Sequence, residues 1–268
     1  MDRLSLTALT LAILVVLIYV TYASIIAYAQ QKPQIIGGNP VTIILTPGTP
    51  MWNPYAPSNM IGNVWTYLPL AAYNPLTGQW WPILAENWTV ETFPNGSALF
   101  TIYLRPGLYW YNGSNAIPFT AWDVYAEFYI GMKAFAWYVP WINQSLVDED
   151  VRVLNNYTIQ FLFQKWTPYI VYWVLTSWID VPYPIWKPIV DKLKTMNVTQ
   201  ASAFSKNITE YVVPYYGIFP YYVSYASTTY IHFTLDPSNI LSSWYKVFPF
   251  ADWEDWQPTA IIWETGGN

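Results

Sequence analysis

The chain of 268 residues has no cysteine, a single histidine and few charged residues. Without cysteine it can form neither disulfides nor thiolate metal sites. A Ser-His-Asp triad would depend on His232 alone, and no G-x-S-x-G sequence accompanies it, so a packed or surface role suits this histidine better. No Gly-rich phosphate loop is present either. We therefore expect no catalytic site, no metal and no cofactor.

Charge is scarce as well. Charged residues make up 10% of the chain, with 11 Lys and Arg against 16 Asp and Glu, and the net charge is −5. Because there is no basic run, nucleic acid is not expected as a partner. A surface with few carboxylates changes little in charge on acidification, which fits an acidic external habitat, although drift of composition explains it equally. The densest acidic cluster, Asp148–Asp150, suits a solvated turn better than a metal site.

Aromatic residues are abundant, at 20% of the chain, with 17 Trp and 24 Tyr. Most of them must form the core. Aromatic faces also stack on sugar rings and on peptide side chains while an N–H or O–H stays free to hydrogen-bond. Some of these rings are therefore candidates for ligand contact.

Residues 1–29 have the pattern of an export signal. Arg3 is followed by an uncharged stretch from Leu4 to Ala29, and Ala27-Tyr28-Ala29 has the form of a cleavage site, which predicts a secretory signal peptide. The apolar stretch is also long enough to span a bilayer, so an uncleaved anchor stays open. In both cases the chain is exported.

Sequons for N-linked glycosylation support export. They begin at Asn87, Asn95, Asn112, Asn143, Asn156, Asn197 and Asn207. Such sites belong to surface loops of exported proteins, where a glycan can replace charge as the solubilising group.

The most ordered pattern runs from Leu84 to Lys133. Ser97–Leu104 alternates its side chains with the period of a β-strand, and Trp88–Thr92 is the facing strand. Asn95-Gly96 between them is a strong hairpin signal because both residues tolerate positive φ.

A capped helix ends this stretch. After the short strand Leu108–Trp110, Thr120 and Asp123 form a capping box at the start of a helix that continues through Lys133. Further predicted elements are a hairpin (Val151–Leu154 with Tyr157–Phe163), two helices (Tyr169–Trp178 and Trp186–Lys194) and a strand (Tyr230–Leu235).

The order of these motifs resembles the extracellular solute-binding proteins of the oligopeptide/dipeptide class (solute-binding family 5), which serve ABC importers. The segments that match the family signature are Leu84–Trp88, Asn95-Gly96, Phe100–Trp110, Asn112-Gly113 and Pro118–Val124. Asn112 stands where the family usually has Asp, and this change keeps the turn chemistry. Beyond Lys194 the match is looser.

The resemblance implies where the ligand lies. In the family a loop after the first strand, here Val41–Leu45, lies at the ligand cleft, so Trp52, Asn53, Tyr55 and Trp65 are the candidate ligand-binding residues. It also implies a helix over Asn63–Tyr73 and a hairpin turn between Tyr73 and Gly78.

The predicted fold class is α/β, a periplasmic-binding-protein-like lobe of the class II type with a mixed β-sheet, forming part of a clamshell. The expected domains are a signal or anchor (1–29), a linker (30–40) and a truncated N-terminal lobe (41–268). The resemblance implies an archaeal protein that captures oligopeptides or oligosaccharides and delivers them to an ABC permease, with a separately encoded second lobe as a further partner. The alternative is a glycosylated cell-surface structural or interaction protein.

Overall fold

The computed structural model describes residues 37–38, 41–45, 52–56, 66–226, 230–236, 238–243, 257–258 and 260–265. The chain divides into two compact units, residues 1–36 and residues 37–268, and the fold below is that of the second unit. The signal or anchor predicted over 1–29 lies outside the described residues, as does Trp65. None of the helices in the described ranges combines the length and the hydropathy needed to cross a membrane.

The described unit is built from β-strands and short helices. The strands are β1 (Gly37–Gly38), β2 (Val41–Leu45), β3 (Leu68–Pro69), β4 (Ala71–Asn74), β5 (Gln79–Pro82), β6 (Ala85–Thr92), β7 (Ala98–Leu104), β8 (Tyr109–Tyr111), β9 (Ala116–Pro118), β10 (Val151–Asn155), β11 (Thr158–Phe163), β12 (Trp178–Ile179), β13 (Tyr221–Ala226), β14 (Tyr230–Leu235), β15 (Gln257–Pro258) and β16 (Ala260–Thr265). The helices are α1 (Ala121–Phe135), α2 (Val147–Asp150), α3 (Tyr169–Thr176), α4 (Tyr183–Lys194) and α5 (Val198–Thr209). Short 3₁₀ turns cover Gln144–Leu146 and Ile240–Ser243.

An antiparallel sheet in the order β10-β11-β7-β6 carries the main core. The alternation predicted for β7 is confirmed, since Phe100 and Ile102 are fully buried, and Phe161 of β11 stands opposite Phe100. Helix α1 covers this face, and the Phe128 ring meets the Phe161 ring edge-on at 5.1 Å. Apolar area removed from water in this way is the main stabilising contribution to such a layer.

A second sheet has the order β13-β14-β16-β2. Its strands pair antiparallel except for β16 and β2, which pair in parallel, so the mixed sheet predicted from the sequence is confirmed. The parallel pair joins strands from the beginning and the end of the chain.

The capping box predicted at the start of α1 is also confirmed. The Thr120 side chain accepts the backbone N–H of Trp122, and Asp123 accepts the backbone N–H of Thr120 at 2.6 Å. Asp123 also accepts the backbone N–H of Tyr183, at 2.7 Å, so the cap joins the first turn of α1 to that of α4.

Two helix predictions need correction. The helix predicted over Asn63–Tyr73 is wrong beyond Thr66, which is helical, because Leu68–Pro69 forms β3 and Ala71–Asn74 forms β4, which pairs with β5 across a turn in which Gly78 has φ +71°. Helix α5 was not predicted, although Asn197 and Gln200 form a capping box at its start. That box was the available signal.

Candidate functional site

Three of the predicted ligand-binding residues lie in one loop, Trp52–Ala56. The buried side chain of Asn53 attaches this loop to the rest of the protein. This side chain is 1% exposed, and its amide nitrogen donates to the carbonyls of Ile208 (2.6 Å) and Tyr211 (2.9 Å) at the end of α5. Its amide oxygen accepts the backbone N–H of Tyr55 at 2.9 Å. The Ile208 carbonyl also accepts the backbone N–H of Tyr211 at 3.1 Å, so Asn53 adds a further donor to the carbonyls at the end of α5. The loop and the helix end therefore stabilise each other.

Tyr55 continues the attachment of the loop to the core. Its ring stacks on Phe135 at 4.9 Å and meets Trp186 edge-on at 5.4 Å, and its hydroxyl donates to the Glu127 carbonyl at 3.1 Å. Burial, followed by the nearby Glu127 and Asp180 carboxyls, raises the pKa of this hydroxyl well above its usual value. Tyr55 is thus neutral and fixed in place.

A glycine in α1 makes room for the ring that lies beside Tyr55. The Trp137 ring lies 5.8 Å from the Tyr55 ring, and a Cβ added at Gly131 would lie 2.0 Å from Cε3 of Trp137. Real Cβ atoms do not approach so closely, so this glycine allows Trp137 to fold back onto the helix.

We expect Gly131→Ala to lower the free energy of unfolding by about 1–3 kcal/mol, because the added methyl displaces Trp137 by overpacking. The better helix propensity of alanine, about 1 kcal/mol, would offset only part of this cost. Gly96→Ala is a useful comparison, since φ is +81° there and no atom lies within 4 Å of the added Cβ, so strain acts without a clash. Denaturant unfolding of both variants, with Trp fluorescence as the probe, checks this. A more stable Gly131→Ala variant would contradict the packing described for Trp137.

Trp52 is half-buried, as are Pro54 and Tyr55 of the same loop. The Trp52 ring packs edge-on against Tyr215 at 4.8 Å. Tyr215 in turn lies close to Gly217, where an added Cβ would be 2.3 Å from the Tyr215 hydroxyl oxygen. Among the described side chains, this buried hydroxyl is one of the few polar groups without a hydrogen-bond partner. The loop thus presents a partly exposed indole on a fixed aromatic support, which suits stacking against a sugar ring or an apolar side chain.

Two buried carboxyls lie behind the loop. Glu127 of α1 is 3% exposed and Asp180 is 6% exposed, and the backbone N–H of Asp180 donates to Oε2 of Glu127 at 3.3 Å. Burial, followed by the neighbouring Asp180 carboxyl, raises the pKa of Glu127 far above its usual range. Burial raises the pKa of Asp180 to about 6, and its Oδ1 has no hydrogen-bond partner among the described residues. Burial therefore favours the protonated form of both carboxyls.

The structure brings Trp52, Asn53 and Tyr55 together in one loop and gives them different environments. Asn53 is buried, whereas Trp52 and Tyr55 are half-buried, and both Asn53 and Tyr55 use their polar side-chain atoms in hydrogen bonds within the protein. Their contact with a ligand stays a prediction. Sequence reasoning missed the support of the loop, namely Tyr215 and the Glu127–Asp180 pair. The only signal for that pair was a carboxylate flanked by apolar residues in Ala126–Phe128 and again in Ile179–Val181.

The acidic cluster Asp148–Asp150 is more integrated than a solvated turn. Asp148 pairs with the buried Lys133 and accepts the hydroxyl of Tyr129, while Asp150 is 5% exposed and accepts the amide of Gln164. Within the described part of the chain, no group of His, Asp and Glu side chains could hold a metal ion.

Several solved structures share this fold. A periplasmic oligopeptide-binding protein of an oligopeptide ABC transporter from Thermotoga maritima matches with a TM-score of 0.53 at 23% identity over 85% of this chain and 37% of that chain. Its mannohexaose-bound form matches with a TM-score of 0.52 at 22% identity over 84% of this chain and 37% of that chain.

A third structure extends the likeness to another organism. The ABC transporter-associated periplasmic binding protein DppA from Helicobacter pylori, in complex with the peptide STSA, matches with a TM-score of 0.52 at 17% identity over 87% of this chain and 43% of that chain. The chain thus spans about two fifths of the length of these solved structures. No protein-family model matches the sequence, and neither does any curated protein. The fold is therefore a mixed α/β lobe of the periplasmic-binding-protein type.

Proposed function

We propose that the chain belongs to solute-binding family 5 and captures oligopeptides or oligosaccharides outside the cell for delivery to an ABC permease. The observation that carries this proposal is the agreement of two independent features. The signature-like stretch Leu84–Lys133 resembles the family residue by residue, and it forms β6, β7 and the capped helix α1 of a fold found in solved transport-binding proteins. Fold alone would not assign a function.

The ligand class follows from two kinds of support. One solved neighbour holds the peptide STSA and another holds mannohexaose. In this chain the loop Trp52–Ala56 offers an indole face and no charged side chain. Rings of this kind accept both sugars and apolar peptide side chains. The role is capture without chemistry on the ligand.

Within the predicted site we assign different tasks to the four residues. Trp52 provides the stacking surface, and Trp65 is a further candidate for ligand contact on the resemblance alone. Asn53 and Tyr55 support ligand binding indirectly. Their hydrogen bonds to α5 and α1 hold the loop in its position.

A second lobe completes the site in this proposal. The solved neighbours have more than twice the length matched by this chain, and two-lobed binding proteins close on their ligand by a hinge motion. The second lobe can follow in the same polypeptide or be encoded separately.

The test is titration calorimetry of the chain, alone and mixed with the product of the adjacent reading frame, against oligopeptides and cello- or malto-oligosaccharides. We expect binding with at least one ligand class, and Trp52→Ala should weaken it by about 1–3 kcal/mol, the range for losing one aromatic contact at a binding surface. Trp88→Ala is the matched control, because Trp88 is half-buried too and lies on the edge strand β6, outside the loop.

Two results would count against capture. One is the absence of heat with every ligand for both preparations. The other is an equal loss of affinity in Trp52→Ala and Trp88→Ala, which would indicate a general loss of stability.

A second candidate function is a glycosylated cell-surface structural or interaction protein. The favouring observation is that six of the seven sequon asparagines are exposed and the seventh, Asn112, is partly exposed. None of these seven amide groups donates a hydrogen bond to another described residue, so each nitrogen is available to a glycan. Glycosylation and ligand capture are compatible, and calorimetry separates a binding protein from a purely structural one.

A further inference from the structure

An open pocket of aromatic rings lies beside helix α3, away from the loop Trp52–Ala56 in the chain. It has a volume of about 330 Å³ and is lined by Tyr138, Trp141, Tyr169, Ile170 and Trp173. The Tyr169 and Trp173 side chains are 75% and 52% exposed. Apolar surface gathered in one concave patch indicates an interaction site.

Three of the four rings in the pocket are held by contacts with neighbouring residues. Trp141 meets Trp173 edge-on at 5.7 Å, and the Trp141 carbonyl accepts the backbone N–H of Lys165 at 3.2 Å. The Tyr138 hydroxyl is hydrogen-bonded to the Ser177 hydroxyl at 3.1 Å. The surface is therefore formed in advance of any occupant.

One sequon begins two residues after Trp141, which lines the pocket. Asn143-Gln144-Ser145 follows Trp141, and two Cα steps of about 3.8 Å place the Asn143 Cα within about 7.6 Å of the Trp141 Cα. The Asn143 side chain is exposed, its oxygen accepts the backbone N–H of Ser145 at 3.0 Å, and its nitrogen makes no hydrogen bond to a described residue. Because Trp141 is only two residues away, a sugar on that nitrogen is within reach of the pocket.

Comparison among the sequons singles out this one. An aromatic residue two positions before the asparagine occurs at Asn95, Asn112 and Asn143, and in all three the asparagine oxygen accepts the N–H of the following serine. At Asn112 that aromatic is Trp110, which is fully buried, and at Asn95 it is Phe93, which is 37% exposed. At Asn143 the aromatic is Trp141, which lines the pocket.

We propose that Asn143 carries an N-linked glycan whose first sugars lie in the aromatic pocket formed by Tyr138, Trp141, Tyr169, Ile170 and Trp173. In the attachment, Nδ2 of Asn143 forms a bond to C1 of the first sugar, and the bond from C1 to a phosphate oxygen of a lipid-linked oligosaccharide donor breaks. The phosphate keeps the electron pair, the amide loses one proton, and nothing is oxidised or reduced. The C–H faces of the sugars then cover the rings, which explains how the chain tolerates this apolar patch at its surface.

The proposal rests on glycosylation of the exported chain and is tested on protein purified from the cells that naturally make it. Glycopeptide mass spectrometry reads occupancy at all seven sequons, and hydroxyl-radical footprinting reads the oxidation rates of Trp141 and Trp173. We expect a glycan at Asn143 and a several-fold rise in both oxidation rates in Asn143→Gln. Ser145→Ala should give the same rise while keeping the asparagine that caps the 3₁₀ turn, and Ser145→Thr should restore protection.

Asn156→Gln is the matched control. Asn156 contacts the first residue of α1 through its carbonyl, whereas Tyr138 follows the end of this helix of 15 residues, about 22 Å away at 1.5 Å per residue. It should leave the oxidation of Trp141 and Trp173 unchanged.

Three results would overturn the proposal. If no sequon carries a glycan, the chain is not glycosylated and the whole proposal is wrong. If other sequons are occupied and Asn143 is not, or if removing its glycan leaves both rates unchanged, the pocket assignment alone fails. If protection of Trp173 persists in Ser145→Ala and increases with protein concentration, a second copy of the chain covers the pocket instead.

Discussion

Raising the pH from about 4 to about 8 is expected to lower the free energy of unfolding by at least about 3 kcal/mol. The cause is the buried Glu127–Asp180 pair. A carboxyl whose pKa is higher in the folded state than in the unfolded state binds more protons when folded. Its stabilising contribution is therefore complete below the unfolded pKa, about 4, and is lost as the pH rises through the folded pKa. For Asp180 the folded pKa is about 6, a difference of about two units at about 1.4 kcal/mol each.

Among the other described groups near this pH range, those with a resolved shift act in the same direction or stay neutral. Burial raises the pKa of Asp123 to about 7, although the backbone N–H groups of Tyr183 and Thr120 oppose the shift. Of the side chains near the pair, the Tyr55 and Tyr67 hydroxyls have raised pKa values, so they remain uncharged over this range. The expected result is a protein most stable in acid, which agrees with the acidic habitat considered from its composition.

Urea unfolding at a series of pH values measures this effect. The double variant Glu127→Gln, Asp180→Asn should flatten the pH dependence while the Asp123 contribution remains. Asp191→Asn is the control, because Asp191 is half-exposed and forms only a surface pair with Lys187, which contributes little. Stability that rises between about pH 4 and pH 7 would refute the assignment of raised pKa values to this pair.

Replacing Asn53 by alanine is expected to lower the free energy of unfolding by about 2–5 kcal/mol. The variant loses two hydrogen bonds to the carbonyls of Ile208 and Tyr211 and one from the Tyr55 N–H. Each bond contributes about 1 kcal/mol, and each buried group left without a partner costs about 1–3 kcal/mol. The loop Trp52–Ala56 should detach from α5 as well.

Hydrogen exchange gives the specific readout. Amides of the loop and of the last turn of α5 should exchange faster in Asn53→Ala, while those of β7 and β11 should change only by the global loss of stability. Trp52→Ala is the paired variant, since Trp52 lies in the same loop and its ring packs edge-on against Tyr215, which lies outside α5. If both variants loosen α5 equally, Asn53 has no special positioning role.

Local structure was readable from the sequence wherever a few adjacent residues suffice. The hairpin at Asn95-Gly96 and the capping box at Thr120 and Asp123 were both predicted, because each depends on backbone angles and hydrogen bonds within four residues. The alternation in β7 predicted its buried face for the same reason. The capping box of α5 was equally readable, and only the wrong helix over Asn63–Tyr73 came from the resemblance instead of from local pattern.

The contacts of the candidate site depend on tertiary structure and could not be predicted from local sequence. Asn53 lies 155 positions before Ile208, whose carbonyl it caps, and Glu127 lies 53 positions before Asp180. No short-range pattern links residues so far apart, because burial and pKa depend on which elements fold onto them. The same holds for the aromatic pocket, where Trp141 and Trp173 meet although helix α2 and the hairpin β10–β11 separate them in the chain. By itself, the sequence determined the strands, turns and caps, whereas only the packing of the elements decided which polar groups are buried and which rings stay at the surface.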